Sequence, residues 1–111
     1  MRAQDLAAYF SKKIAKPIVF AVREQAYGEY VFWVFEVEVT AVEGETLHVL
    51  VNLKGTRDKA GRWLVKNDVT RGDMEIPMRE GDYVSLLLGM AVAVRGLGER
   101  CEALPEADSE L

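Results

Sequence analysis

Cysteine and histidine are almost absent from this chain. Among its 111 residues there is one of each, Cys101 and His48. A lone cysteine excludes an internal disulfide, is typical of a reducing compartment, and leaves no second thiolate for a zinc site of the usual kind. No serine or cysteine lies near His48 in the sequence to form a catalytic dyad with it. We therefore expect a protein that is not an enzyme and that carries no metal or cofactor.

Long hydrophobic runs are also missing. The longest, "VSLLLGMAVAV" at residues 84–94, is well short of the ~20 residues that a membrane-spanning helix needs. No cationic start followed by a continuous apolar stretch marks a secretory signal. These two absences predict a cytoplasmic protein that has no membrane partner.

What the chain does contain is enough apolar material for one folded domain. Half of its residues are hydrophobic and 29% are charged, a balance typical of folded globular proteins. A chain of 111 residues closes a single hydrophobic core. We expect one domain over residues 1–98, followed by an acidic, flexible tail over residues 99–111, where five acidic side chains accompany one arginine.

The first regular segment is predicted to be a helix over residues 3–16. Leu6, Phe10 and Ile14 recur at four-residue spacing, which places them in one apolar stripe along a helix. Pro17 ends the pattern because proline cannot continue a helix. A helix with a single apolar stripe needs a second element to cover that stripe, and we expect this element to be a sheet.

Beyond Pro17 the apolar period changes to two, the period of a β-strand. Three alternating segments, "PIVFAVRE", "EYVFWVFEVEVTAV" and "TLHVLVNL", are joined by turns at Gly28 and at "EGE", residues 43–45, which predicts an antiparallel meander. Residues 54–78 are expected to be a mobile loop that contains one short strand, "RWLVK". "YVSLLLG" and "MAVAVRG" are predicted to be two more strands with a bend at Gly89.

These elements predict a mainly β protein with an N-terminal α-helix and a small curved antiparallel barrel of about five strands. Barrel closure is expected because it removes exposed strand edges. The element order over residues 3–95 resembles that of the SH3-like and Sm-like small barrels, and an OB-like barrel is the alternative. The sequence signature of RNA-binding Sm proteins is not found, so no binding residue is transferred from that family.

The second predicted strand is apolar on both faces near its start. One face begins at Val31 and continues along the strand, whereas the opposite face carries Tyr30, Phe32 and Val34 before acidic residues replace them. Three things are candidates to cover this second patch: the N-terminal helix, a second subunit, or a stacked nucleic-acid base.

Charge is distributed unevenly, although the net charge is only −4. Residues 54–71 carry six basic side chains against Asp58 and Asp68. Basic residues around an aromatic ring suit single-stranded nucleic acid, because cations neutralise phosphates while the ring stacks on a base. The simpler interpretation is a set of solvated charges around a core tryptophan. The predicted binding residues are Lys54, Arg57, Lys59, Arg62, Trp63, Lys66 and Arg71.

Three aromatic residues nearby, Tyr27, Tyr30 and Phe32, are secondary candidates for base stacking. The alternative is that they form the apolar interface of a homo-oligomer, so that the protein is a structural or assembly subunit. Glu36 and Glu38 share a strand face and are the best candidates for an acid and base pair, but a solvated polar face is the simpler interpretation. The acidic tail is similar in charge and position to tails that recruit protein partners to single-stranded-DNA-binding proteins of the OB class.

Overall fold

The described part of the chain contains two helices and five strands. The computed structural model describes residues 3–26, 28–79, 81–95 and 102–105. The elements are α1 (Ala3–Ser11), β1 (Ile18–Ala26), β2 (Glu29–Glu43), β3 (Thr46–Arg57), β4 (Trp63–Pro77), α2 (Tyr83–Arg95) and β5 (Glu102–Pro105).

All five strands form one antiparallel sheet in the order β4-β3-β2-β1-β5. The prediction of a mainly β protein with an N-terminal helix is therefore confirmed. The sheet is not closed, and its end strands are β4 and β5. The predicted barrel is accordingly not confirmed. Glu102–Pro105, inside the segment predicted to be a flexible tail, pairs with β1 as β5.

Helix α1 is shorter than the predicted helix over residues 3–16. Leu6 and Phe10 are fully buried, as the apolar stripe requires, but the helix ends at Ser11. Ile14 instead forms an isolated bridge with Val39 of β2, and Ala15 adopts a positive φ of 67°. A left-handed residue cannot continue a right-handed helix, so the chain leaves the helix before Pro17.

Residues 83–95 form helix α2, so the prediction of two strands joined at Gly89 is wrong. Asp82 caps the helix: its Oδ1 accepts a hydrogen bond of 2.8 Å from the Ser85 backbone N–H. This bond, the largest influence on that carboxyl, lowers the pKa of Asp82. The buried side chains of this segment recur every four residues, as they do on one face of a helix: Leu86 with Met90, and Leu87 with Ala91. No helix in the described part of the chain is long and apolar enough to cross a membrane.

Residues 54–78 are not the predicted mobile loop. Most of them belong to the hairpin of β3 and β4, which is paired from Thr46 and Pro77 at one end to Arg57 and Trp63 at the other. The connection itself is short, residues 58–62. The glycine and polar residues that suggested a loop are compatible with β4 because it is an edge strand with a neighbour on one side.

The core lies between the inner face of the sheet and the two helices. Phe20 of β1 and Phe35 of β2 are fully buried and stack with their ring centroids 5.2 Å apart. The other strand residues of this face are Ile18, Val22, Val37, Val39, Leu47, Val49, Val51 and Leu53, and the helices add Leu6, Phe10, Leu86, Leu87, Met90 and Ala91.

A β-bulge interrupts the pairing of β2 with β3. Val34 pairs with Gly55 and Phe35 pairs with Leu53, so Lys54 has no opposite residue on β2. Gly55 has a φ of 136°, and a Cβ built on it would lie 2.0 Å from the Val65 carbonyl oxygen of β4. Bulges bend the strand that carries them and increase its twist. This bulge therefore sets how the ends of β3 and β4 lie against β2.

Candidate functional site

Several of the predicted binding residues, Arg57 and Trp63 among them, lie on the outer face of the sheet, the face opposite the helices. Here the register aligns Arg23, Phe32, Arg57 and Trp63 in one row across β1, β2, β3 and β4. Because side chains alternate along a strand, residues two positions away share this face. The row places two arginines and two aromatic residues, which are far apart in sequence, side by side.

Trp63 is the aromatic centre of this surface. Its side chain is 36% exposed, so it is not the core anchor of the simpler interpretation. The Arg57 guanidinium carbon lies 4.2 Å from the centroid of the indole ring, and the Lys66 Nζ lies 5.8 Å from the same centroid. Both distances are within the range of cation–π attraction. The tryptophan thus has the predicted cationic surroundings, held by contacts across β3 and β4.

A cavity of about 330 Å³ opens beside the indole ring. Its apolar lining includes Val19 and Val34, each only 2% exposed although they lie on the outer face. The polar lining comes from Glu36, Lys54 and Arg57, with Trp63 completing the wall. The Nε of Arg57 is buried and has no hydrogen-bond partner among the described residues. Among the described residues, the outer face therefore holds a concave site with an apolar lining, one aromatic wall, two cations and one carboxylate.

A smaller cavity of about 170 Å³ adjoins the first and shares Val34 and Arg57 with it. Phe32, Lys59 and Ala21 also line this second cavity. The two cavities lie side by side along the aromatic row. Together the two cavities offer space for more than one planar ligand group, such as an aromatic ring.

The connection between β3 and β4 is built around Asp58. Its Oδ1 accepts hydrogen bonds of 2.9 Å from the backbone N–H groups of Ala60 and Arg62, and its Oδ2 accepts one of 2.9 Å from the Arg62 Nε. These bonds, that from the Arg62 backbone first, lower the pKa of Asp58. Arg62 was predicted to bind nucleic acid, but its guanidinium is already paired with this carboxylate. It stabilises the turn that carries Trp63.

Of the remaining predicted residues, the structure describes the side chain of Lys66 but not those of Arg71 and Tyr27. Lys66 is exposed next to Trp63. Arg71 lies opposite Asn52 in the β3 and β4 pairing, and its side chain is outside the described residues. Tyr27 lies outside the described residues as well.

The apolar patch at the start of β2 is partly covered within the chain. Val34 is buried, Phe32 is half-buried, and Tyr30 is 44% exposed. The Arg23 guanidinium carbon lies 4.7 Å from the centroid of the Tyr30 ring. Neither helix covers this patch, since both pack on the inner face. Of its three members, Tyr30 offers the largest exposed fraction to another molecule.

Glu36 is the site residue whose position sequence reasoning missed. It was considered only as a partner of Glu38, but the two carboxylates differ: Glu36 is half-buried and lines the cavity, whereas Glu38 is exposed. The sequence did contain one indication of this position. Side chains alternate between the two faces of a strand, so Phe32, Val34 and Glu36 lie on the same face of β2. That signal does not reveal that β3 and β4 bring Lys54, Arg57 and Trp63 to the same cavity.

His48 lies in a different part of the sheet, between two carboxylates. Its Nε2 is 3.6 Å from Glu43 Oε1, and its Nδ1 is 3.6 Å from Glu75 Oε1. A shallow depression lined by His48, Thr40 and Asp73 adjoins it. Within the residues that the structure describes, no group of three or more His, Cys, Asp or Glu side chains is placed to hold a metal ion.

No protein-family model matches the chain, and no curated protein and no solved structure is significantly similar to it. What can be inferred about function comes from the geometry and chemistry of the outer face.

Proposed function

We propose that the protein binds single-stranded nucleic acid through the outer face of its sheet, without catalysing a reaction. The observation that carries this proposal is the exposed ring of Trp63, flanked by Arg57 and Lys66, beside a cavity with an apolar lining. An aromatic ring contributes about 1–3 kcal/mol when a base stacks on it, and every base offers a flat face for stacking.

The cations around the ring suit a phosphate backbone. Lys54, Arg57 and Lys66 lie near Trp63 on β3 and β4, and Lys59 lines the adjoining cavity. A strand that placed bases along the aromatic row would therefore run its phosphates past several positive side chains. Local attraction of this kind is compatible with a net charge of −4, because screening limits the reach of distant charges to roughly 10 Å.

Single strands fit this surface better than a duplex does. The cavity is concave and its apolar lining is buried, so a ligand must insert a flat group to reach Val19 and Val34. Bases of a duplex are stacked and paired, whereas the bases of a single strand are free to turn outward. Sheets that present aromatic residues bind single strands in this way.

We expect the protein to bind single-stranded oligonucleotides of about ten nucleotides with an affinity that falls steeply as salt rises. Fluorescence anisotropy of labelled DNA and RNA strands, at several salt concentrations, measures this. Lys66→Ala should reduce the slope of log affinity against log salt by about 0.7, because one phosphate contact is lost. Lys12→Ala is the matched control, since it removes an equal charge beside α1, on the helix side of the sheet. Absence of binding at low salt would contradict the proposal.

Trp63→Ala should weaken oligonucleotide binding by about 1–3 kcal/mol without unfolding the protein, because a stacking surface is lost from an exposed side chain. The same anisotropy titration measures the loss, and a thermal melt reports the fold. Val84→Ala is the control: Val84 is 42% exposed on α2, which packs on the opposite face of the sheet. Equal affinity of the Trp63→Ala variant and the wild type would remove the stacking role of Trp63.

A further inference from the structure

The cavity beside Trp63 contains one group that phosphate binding does not explain. Among the described residues of its lining, Glu36 is the one acidic side chain, next to Lys54 and Arg57. A carboxylate repels phosphate, so it weakens a site whose sole task is to neutralise a backbone. An ionised carboxylate is purely a hydrogen-bond acceptor, and it is satisfied by ligand N–H groups.

Glu36 lines the same cavity as Trp63, so both side chains can contact one ligand. Glu36 pairs with Val19 on β1 and with Asn52 on β3, two residues along β2 from Val34. The Glu36 carboxylate and the apolar lining therefore belong to the same part of the outer face.

The nucleobases differ in what they offer to a carboxylate. Guanine presents two neighbouring donors on its Watson–Crick edge, N1–H and the 2-amino group, which match the two oxygens of a carboxylate. Adenine and cytosine present one amino donor beside a ring-nitrogen acceptor, and thymine or uracil presents one N–H between two carbonyl acceptors. Guanine also carries the O6 and N7 acceptors that arginine and lysine recognise. A pocket that combines one carboxylate with two cations is thus complementary to guanine.

We propose that this cavity is a guanine-selective pocket, in which Glu36 accepts hydrogen bonds from the Watson–Crick edge. Lys54 and Arg57, the two cations that line the cavity, supply donors for O6 and N7. Val19, Val34 and Trp63 contact the ring system. The cavity volume of about 330 Å³ is at the lower end of small-molecule sites, which suits one base. This inference rests on the proposed function, because the base is presented by a single strand.

The test compares oligothymidylate of about ten nucleotides with the same strand carrying one central guanine, inosine or adenine. We expect guanine to raise the affinity about tenfold, because a bidentate contact discriminates between bases to about this extent. Inosine lacks the 2-amino group and should retain only part of this gain. Adenine should give none.

Glu36→Gln is the decisive variant because it replaces one carboxylate oxygen with an amide donor at nearly constant shape. It should abolish most of the guanine preference, measured as the ratio of the affinities for the guanine-containing strand and for plain oligothymidylate. Glu38→Gln is the matched control: it removes the same charge from the same face of β2, two residues away, where the side chain is exposed. That variant should keep the full preference.

The possible failures are distinguishable. If the wild type binds all the strands with the same salt-dependent affinity, the cavity does not select guanine, but the proposed function stands. A guanine preference that survives in Glu36→Gln would overturn the role of Glu36. If no strand binds at low salt, the proposed function and the pocket both fail.

Discussion

Replacing Gly55 with alanine is expected to lower the free energy of unfolding by about 2–4 kcal/mol. Two physical effects combine at this position. The backbone has a φ of 136°, a conformation that residues with a Cβ rarely adopt, and the added Cβ would lie 2.0 Å from the Val65 carbonyl oxygen. That oxygen belongs to the backbone of β4, so it can move only if the strand moves. Urea denaturation monitored by circular dichroism measures the loss.

Gly61→Ala separates these two effects. Gly61 also has a positive φ, 84°, but no heavy atom lies within 4 Å of the position of its added Cβ. It should therefore cost only the conformational strain, about 1–2 kcal/mol. If both variants lose the same stability, close approach of β4 to Gly55 is not what makes glycine necessary there. The Gly55→Ala variant should also bind oligonucleotides more weakly than Gly61→Ala, because a shifted β4 moves Trp63 relative to Arg57.

The first three strands were predictable because local alternation determines them. Each has a continuous apolar face, Phe20 and Phe35 among its members, and each is separated from the next by a short turn. A hairpin of neighbouring strands needs no information from distant residues. The unclosed sheet was not predictable in this way, since closure depends on whether the first and last strands meet.

Helix α2 was mistaken for two strands because a nearly continuous apolar run has no clear period. Both faces of "YVSLLLGMAVAVR" are hydrophobic, and periodicity alone does not separate a buried helix from a buried strand. Two signals favoured the helix: Asp82 as an N-cap, and a run too long for one strand. Gly89 was taken for a bend, but in the structure it is an exposed position within the helix.

The candidate site was predictable in part. The cations and the ring of Trp63 lie close together in sequence, so Arg57 and Lys66 could be assigned to it directly, and the structure brings them within contact of the indole. Val19 and Glu36 could not be assigned, because only the register of three strands and the bulge at Gly55 bring them to the same cavity. The bond of Arg62 to Asp58 could not be foreseen either, since it depends on the geometry of the turn.

Phe35→Ala should cost about 3–5 kcal/mol of unfolding free energy, the usual range for removing a fully buried phenylalanine. The ring is 0% exposed and stacks on Phe20 at an interplanar angle of 15°, so its loss leaves a cavity beneath α1 and α2. Urea denaturation measures the change. We expect oligonucleotide binding by the fraction that stays folded to be nearly unaffected, because Phe35 faces away from the outer face.

Phe32→Ala is the matched comparison, made three residues earlier on the opposite face of the same strand. Phe32 is half-buried and lines the smaller cavity, so its removal should cost less stability, about 1–2 kcal/mol, because less apolar area returns to water. Its effect on oligonucleotide affinity should be the larger of the two. The two faces of β2 would then serve different purposes, stability on the inner face and binding on the outer one. If Phe32→Ala and Phe35→Ala lose the same stability, the apolar residues of the outer face form a second hydrophobic core. No ligand would then be needed to explain why those residues are apolar.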